Sequence, residues 1–217
     1  MEENTSVLKA GNKNCYIYFD TEFTGLRKDT SLISIGLVTS YGLSFYAEFT
    51  DYNYGYVDNW IQTNVIDKLS IKNNNKRGKQ WRIKGNKKKI SDALNEWIDN
   101  IHKMYDVNIQ FVSDVCHYDF VLLVDLILND NTKTAIDLPE YISPVCHDIN
   151  HDLSNLISSS ESEDKFTKST PSEFAFNVNR EKFIEEITGE KITDENKHNA
   201  LHDAIVIKKI HQYLYNM

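Results

Sequence analysis

Residues that break or staple a structure are scarce in this chain. Three prolines and eight glycines among 217 residues leave little material for inter-domain linkers, so one domain with an embellishment is expected. The three cysteines, Cys15, Cys116 and Cys146, are few and odd in number, which argues against a disulfide framework. They are read as reduced residues in strands or strand ends. No apolar run approaches the roughly 20 residues that cross a bilayer, and this excludes a membrane-spanning helix and a membrane partner. The opening MEENTSVLKAGNKN has no apolar core of a signal peptide, so a cytoplasmic location is expected. Internal repeats are lacking too.

One further absence is local. Residues 72–89, KNNNKRGKQWRIKGNKKK, contain no acid and hold nine of the 24 lysines and arginines. Setting those nine cations apart from the net charge of −8 leaves −17 on the rest of the chain. A net negative charge disfavours nucleic acid, but the distribution matters more than the sum. The run, with a basic insertion placed at about 71–89, is either a solvated loop or an attractor for phosphates. Trp81, interleaved with Lys79 and Arg82, could then stack on a base, and Lys87, Lys88 and Lys89 could meet the backbone.

What is present is an alternation of strand and helix patterns. Residues 14–20 read as a strand, followed by 31–40 and 43–50, joined through the tight Tyr41-Gly42 turn. Short links between the three suggest an antiparallel meander. DNWIQTNVIDKL (58–69) has an Asp cap and helical spacing, and 90–105 is an amphipathic helix expected to be capped by Ser91 or Asp92. Strand 107–115, helix 117–128, a weaker strand at 141–150, helix 180–189 ended by Gly189 and helix 199–215 complete the order. Residues 155–179 read as a mobile loop. The fold class is α/β: a mixed five-stranded sheet, three antiparallel strands and then parallel additions, flanked by helices.

The first strand ends in acids, CYIYFDTEFTGL (15–26). Residues i and i+2 share a strand face, so Asp20 and Glu22 stand side by side and repel unless a proton or cation lies between them. Asp119 shares a helical stripe with Leu122, Leu123 and Leu126, and Asp203 with Ile207, Ile210 and Leu214. Either each aspartate caps its helix, or the four acids converge on one end of the sheet. In the second case they form a site for hard divalent ions. Two such ions about 4 Å apart can activate a water and stabilise the leaving oxygen of a phosphodiester. His198 stands five residues before Asp203, on the loop entering the last helix. It is either an exposed loop histidine or a base for the water. Cys116-His117, Cys146-His147 and His151 lack the spacing of common zinc ligands. Asp148 and Asp152 read as strand-end and turn acids.

These residues resemble the motifs of the DEDDh 3′–5′ exonucleases, the RNase T or proofreading superfamily with an RNase H-like fold. DTEFTG matches the first motif, Tyr118-Asp119 the second, and HNALHD (198–203) the third. The DTEF, LISIGLV, YAEF and DNWIQTNV segments look most like the small stand-alone exoribonucleases of mycobacterial type. The resemblance implies two Mg²⁺ or Mn²⁺ ions and hydrolysis from a free 3′ end, with RNA favoured over DNA. It further implies nucleoside 5′-monophosphate products and often a homodimer. It assigns metal binding and catalysis to Asp20, Glu22, Asp119 and Asp203, and the general-base role to His198. Phe23 and Thr24 fall where the family holds the terminal nucleotide. Many relatives have Asn four residues before the second-motif Asp, where this chain has Val115, and nearby Asp114 is an alternative bearer of that motif. The 71–89 insertion and the 155–179 excursion are not family features. A DNA exonuclease, a catalytically silent 3′-end binding module and an endonuclease of the same fold are the alternatives.

Overall fold

Alternation along the first strand sets the two faces of the sheet. In β1 (Lys13–Phe23), Cys15, Ile17 and Phe19 pack to one side, while Tyr18 and partly covered Tyr16 pack to the other. Strands β2 (Leu32–Thr39) and β3 (Ser44–Phe49) are buried at every residue, as central strands covered on both faces must be. The computed structural model describes residues 13–159, 179–191 and 197–215. The strands order as β4-β3-β2-β1-β5-β6. The antiparallel meander β1–β2–β3 forms as expected. Parallel additions follow: β4 (Gln80–Gly85) on β3, β5 (Val107–Ser113) on β1, and the two-residue β6 (His147–Asp148) on β5.

Helices α2 (Lys87–Tyr105) and α3 (His117–Leu128) cover the first face, burying Leu94, Trp97, Ile98, Leu123 and Leu126. The opposite face takes α4 (Ile149–Ser159), α5 (Arg180–Thr188) and α6 (Ala200–Leu214), whose Leu153, Ile184, Ile207 and Ile210 surround Tyr18 and Val112. The short α1 (Asn59–Asn64) is capped by Asp58, whose carboxylate accepts from the Ile61 N–H, and a 3-10 turn follows it. Gly189, in the left-handed conformation, ends α5 as anticipated. Among the described residues, no helix is long and apolar enough to cross a membrane.

Among the described residues the sheet has six strands rather than five, and the extra one lies inside the basic run. In β4, Trp81 and Ile83 point inward while Gln80 and Lys84 stay outside, an edge strand with one polar face. The next helix then starts at Lys87, capped by Asn86, whose side chain accepts from the Lys89 N–H. Ser91 and Asp92 lie inside that helix and do not cap it. Of the expected loop at 155–179, residues 155–159 belong to α4, and 160–178 lie outside the described residues.

All strands but β2 run the same way, so their C-terminal ends open on one edge. The N-termini of α2, α3 and α4 begin there. Gly36 brings α6 to the same place. It pairs with Asp20 across the sheet, and a methyl group on it would lie 2.2 Å from the Leu201 backbone nitrogen. Only glycine lets the first turn of α6 rest directly on β2.

Candidate active site

Strand parity determines which acids meet. Asp20 and Glu22 share the face of Tyr18 and point toward α6, while Thr21 points toward α3. The first turn of α6 presents Asp203, and Asn199 caps that helix by accepting from the His202 N–H. Asp203 is thereby freed from capping. Its Oδ2 accepts instead from the His198 N–H at 3.0 Å. Asp119 does not cap α3 either. Only 8% exposed, its Oδ1 accepts from the Thr21 N–H at 3.0 Å and the Thr21 hydroxyl at 2.5 Å.

His198 lies in the loop before α6 with φ of 64°, a conformation costly for a residue with a side chain. Its bond to Asp203 and a 2.8 Å bond from Lys68 Nζ to the Lys197 carbonyl hold that loop. Its Nδ1 lies 4.0 Å from Glu22 Oε1, and its ring meets the Trp60 ring edge-to-face at 4.9 Å. Glu22, His198 and Asp203 each offer a donor atom within 4.8 Å of the others. Asp20 and Asp119 stand outside that tight triplet but line the same cleft of about 550 Å³, with Phe23, Leu26 and Trp60 at its sides.

The electrostatics follow from the crowding. Burial first, and then Asp203, Asp119 and Glu22, push the Asp20 carboxyl well above the usual range. Burial and the Asp203 and Asp119 charges raise Glu22 to about 8. Burial and the Glu181 charge raise Asp203 to about 7. Asp119 rises to about 6, burial outweighing its bonds from Thr21. His198 goes the other way: burial, then Lys68 and Lys197, hold it below the ordinary imidazole range. A set of oxygen donors that repel one another in a cleft suits a hard divalent cation, which would relieve the repulsion.

Asp114, the alternative bearer of the second motif, is committed elsewhere. Arg180 grips it through Nε at 2.8 Å and Nη2 at 2.9 Å, and the Asn150 amide donates to it. Its neighbour Val115 takes the left-handed conformation. The cleft carboxylate is Asp119.

The predicted substrate residues separate. Phe23 lines the cleft and stacks on Tyr118 with 5.8 Å between ring centres. Thr24 is 1% exposed, and its hydroxyl accepts from the Ser31 N–H, so its side chain shapes the β1–β2 loop and does not reach the cleft. Trp81 is a core residue, 9% exposed, with Lys76 Nζ over its ring at 5.7 Å, and presents no open stacking face. Lys87 Nζ bonds Asp125 at 2.6 Å, Lys88 pairs with Asp92, and Lys89 donates to the Lys84 carbonyl.

Three residues escaped the sequence reading: Lys68, Glu181 and His202. Glu181, three positions before Ile184, is an acid on a buried stripe, the same signal that drew attention to Asp119 and Asp203. Nothing in the sequence marks Lys68. His202 sits inside the third motif at an unspecified position.

No family model matches the chain, and no curated protein matches it in sequence. Among solved structures it is similar to the zinc-bound form of the E. coli ExoI–ssDNA complex, at 14% identity and a TM-score of 0.51. That match covers 94% of this chain and 42% of the other, so the chain spans less than half of that protein. The yeast NOT1 MIF4G domain co-crystallised with CAF1 gives 14% identity and a TM-score of 0.48, over 94% of this chain and 79% of the other. The Neurospora crassa Pan2 catalytic unit, with its protease and nuclease domain, gives 13% and 0.42 over 100% and 29%. At these identities the likeness is one of fold, and the fold is a mixed α/β sheet of RNase H-like kind.

Proposed function

We propose that the cleft is the active site of a metal-dependent 3′–5′ exonuclease that releases nucleoside 5′-monophosphates from the free 3′ end of a nucleic acid, RNA in preference to DNA. One observation carries this reading. Four carboxylates from β1, α3 and α6 converge on one cleft, and a histidine held below its ordinary pKa lies 4.0 Å from one of them. The E. coli ExoI relative in fold is bound to ssDNA, which supports nucleic acid as the substrate class. RNA preference and homodimer formation rest on the likeness to the stand-alone exoribonucleases.

Asp20, Glu22, Asp119 and Asp203 would hold two Mg²⁺ or Mn²⁺ ions, which when bound supply an activated water and neutralise charge on the leaving oxygen. His198 accepts a proton from the attacking water. With Nδ1 turned toward Glu22, Nε2 is the nitrogen left for that task. Thr21 fixes the Asp119 carboxylate through two hydrogen bonds, and Lys68 steadies the His198 loop through the Lys197 carbonyl. The Phe23–Tyr118 stack forms an apolar wall against which a terminal nucleotide can rest.

The test uses 5′-labelled RNA and DNA oligonucleotides, each also as a closed circle, with Mg²⁺ or Mn²⁺. A ladder shortening from the 3′ end of linear RNA, with circles intact, is expected. Cut circles would indicate an endonuclease, and binding without product in every arm a silent module. Either result overturns the proposal.

A further inference from the structure

Adjoining the cleft, and sharing Asp20, His198 and Asp203 with it, a hollow of about 360 Å³ reaches α5, where Glu181 stands in its wall. Glu181 stands in the first turn of α5 and is 5% exposed, yet its Oε2 has no hydrogen-bond partner among the described residues. The Nε2 of His202, one residue before Asp203, is likewise shut from solvent and without a hydrogen-bond partner among the described residues. Buried polar atoms are seldom left without partners, and here a carboxyl oxygen and an imidazole nitrogen of neighbouring side chains are left so. One donor atom each from Glu181, His202 and Asp203 lies within 4.8 Å of the other two.

We propose that Glu181, His202 and Asp203 form a metal site of their own, for a divalent transition ion of the zinc or cobalt kind, with Asp203 shared between it and the catalytic cleft. A cation held between them would satisfy both orphan atoms at once. Ligand bonds of about 2.0–2.2 Å would be reached by small side-chain rotations that draw the three donors inward. The imidazole sets the preference, because nitrogen favours zinc, cobalt and nickel over magnesium. The cations facing the hollow leave room for the ion. Arg180 grips Asp114 in the same wall, Lys197 Nζ is 3.9 Å from Glu181 Oε2, an ion pair longer than a hydrogen bond, and Lys209 nearby is paired with Glu190. Sharing Asp203 couples the two sites: an ion on the α5 side competes for a carboxylate that the cleft uses.

Cobalt is the probe, since its visible absorption reports nitrogen ligation directly. The 217-residue chain, stripped of metal, is titrated with Co²⁺ and read by absorption and equilibrium dialysis, without any hydrolysis assay. His202→Gln and Glu181→Gln should each weaken the imidazole-bound site by more than the 10–100-fold that loss of an outer-shell partner costs. His198→Ala should leave it intact. Circular dichroism confirms that each variant folds, and having two conservative variants guards against one failing. Loss of the signal in His198→Ala alone would place the ion in the cleft and overturn the proposal. So would persistence in both glutamine variants, or no imidazole-type signal in the parent chain. A failure of exonuclease activity leaves this outcome untouched, because the readout is binding.

Discussion

Two charged regions of this molecule look alike as composition and behave oppositely in space. The basic run at 72–89 crowds nine cations into one stretch of sequence, and the fold disperses them. Lys76 pairs with Glu96, Lys84 with buried Glu48, Lys87 with Asp125 and Lys88 with Asp92. Asp20, Glu22, Asp119 and Asp203 are spread over 184 positions of sequence, and the fold gathers them without a lysine or arginine salt bridge to any of the four among the described residues. A charge run dense in sequence is easily neutralised by neighbours. A charge cluster built from separate elements persists only if something else answers it, and that is the mark of a site.

The sharpest way to break the comparison is to remove one acid from the cleft. Asp20→Asn or Asp203→Asn should abolish cleavage, by about 10³-fold or more, while circular dichroism shows a folded chain. Chelation by EDTA should do the same to the parent chain. Activity that survives EDTA would mean the carboxylates answer to something other than metal. Next in size, His198→Ala should lower kcat by about 10² and leave KM nearly unchanged. The rate should rise with pH through a histidine ionisation below the ordinary value. A variant that loses affinity and keeps turnover would make His198 a binding residue.

Much of this site was legible in sequence because its signals are local. The DTE tripeptide fixes strand parity, and Asp119 and Asp203 betray themselves as acids on leucine and isoleucine stripes. Asp58 and Gly189 mark helix ends by local hydrogen bonding and backbone freedom alone. The misses are tertiary. Strand β4 hides in a lysine-rich run because only Trp81 and Ile83 show its inward face, and pairing with β3 supplies the rest. Thr24 sits in the right motif, but the Ser31 N–H turns its hydroxyl inward. Lys68 reaches the His198 loop across 129 residues, a distance that no local pattern encodes.

A third effect is read on stability. Glu22, Asp203 and Asp119, raised to about 8, 7 and 6, hold protons in the folded chain that they release near 4 when unfolded. Folded protein thus binds more protons between about pH 4 and pH 8, and metal-free stability falls as pH rises through that window. His198, held low, slopes oppositely at the acidic end. A metal-free thermal melt should drop by at least about 4 °C from pH 5.5 to pH 8, and Mg²⁺ or Mn²⁺ should restore most of it. Asp20→Asn should flatten the curve and melt higher without metal. A metal-free melt that instead rises with pH would show that the acids are already compensated within the chain.

The smallest effect belongs to the basic run, where the comparison is sharpened instead of broken. The first turn of α2 lies at the same edge of the sheet as the cleft, because β4 and β1 end there. Lys87, Lys88 and Lys89 are therefore within the approach of a nucleic-acid strand, but each already holds an oxygen. A phosphate must displace Asp125, Asp92 or the Lys84 carbonyl before it gains a lysine, and exchanging one exposed partner for another yields little. Replacing all three with Ala should raise KM about two- to fivefold, flatten its salt dependence slightly and leave kcat unchanged. A much larger rise in KM would mean that the lysines leave their partners readily and that the run guides substrate. No change in either KM or salt slope would confine the run to balancing the acids around it, leaving the acidic cleft to attract substrate only through its bound metal.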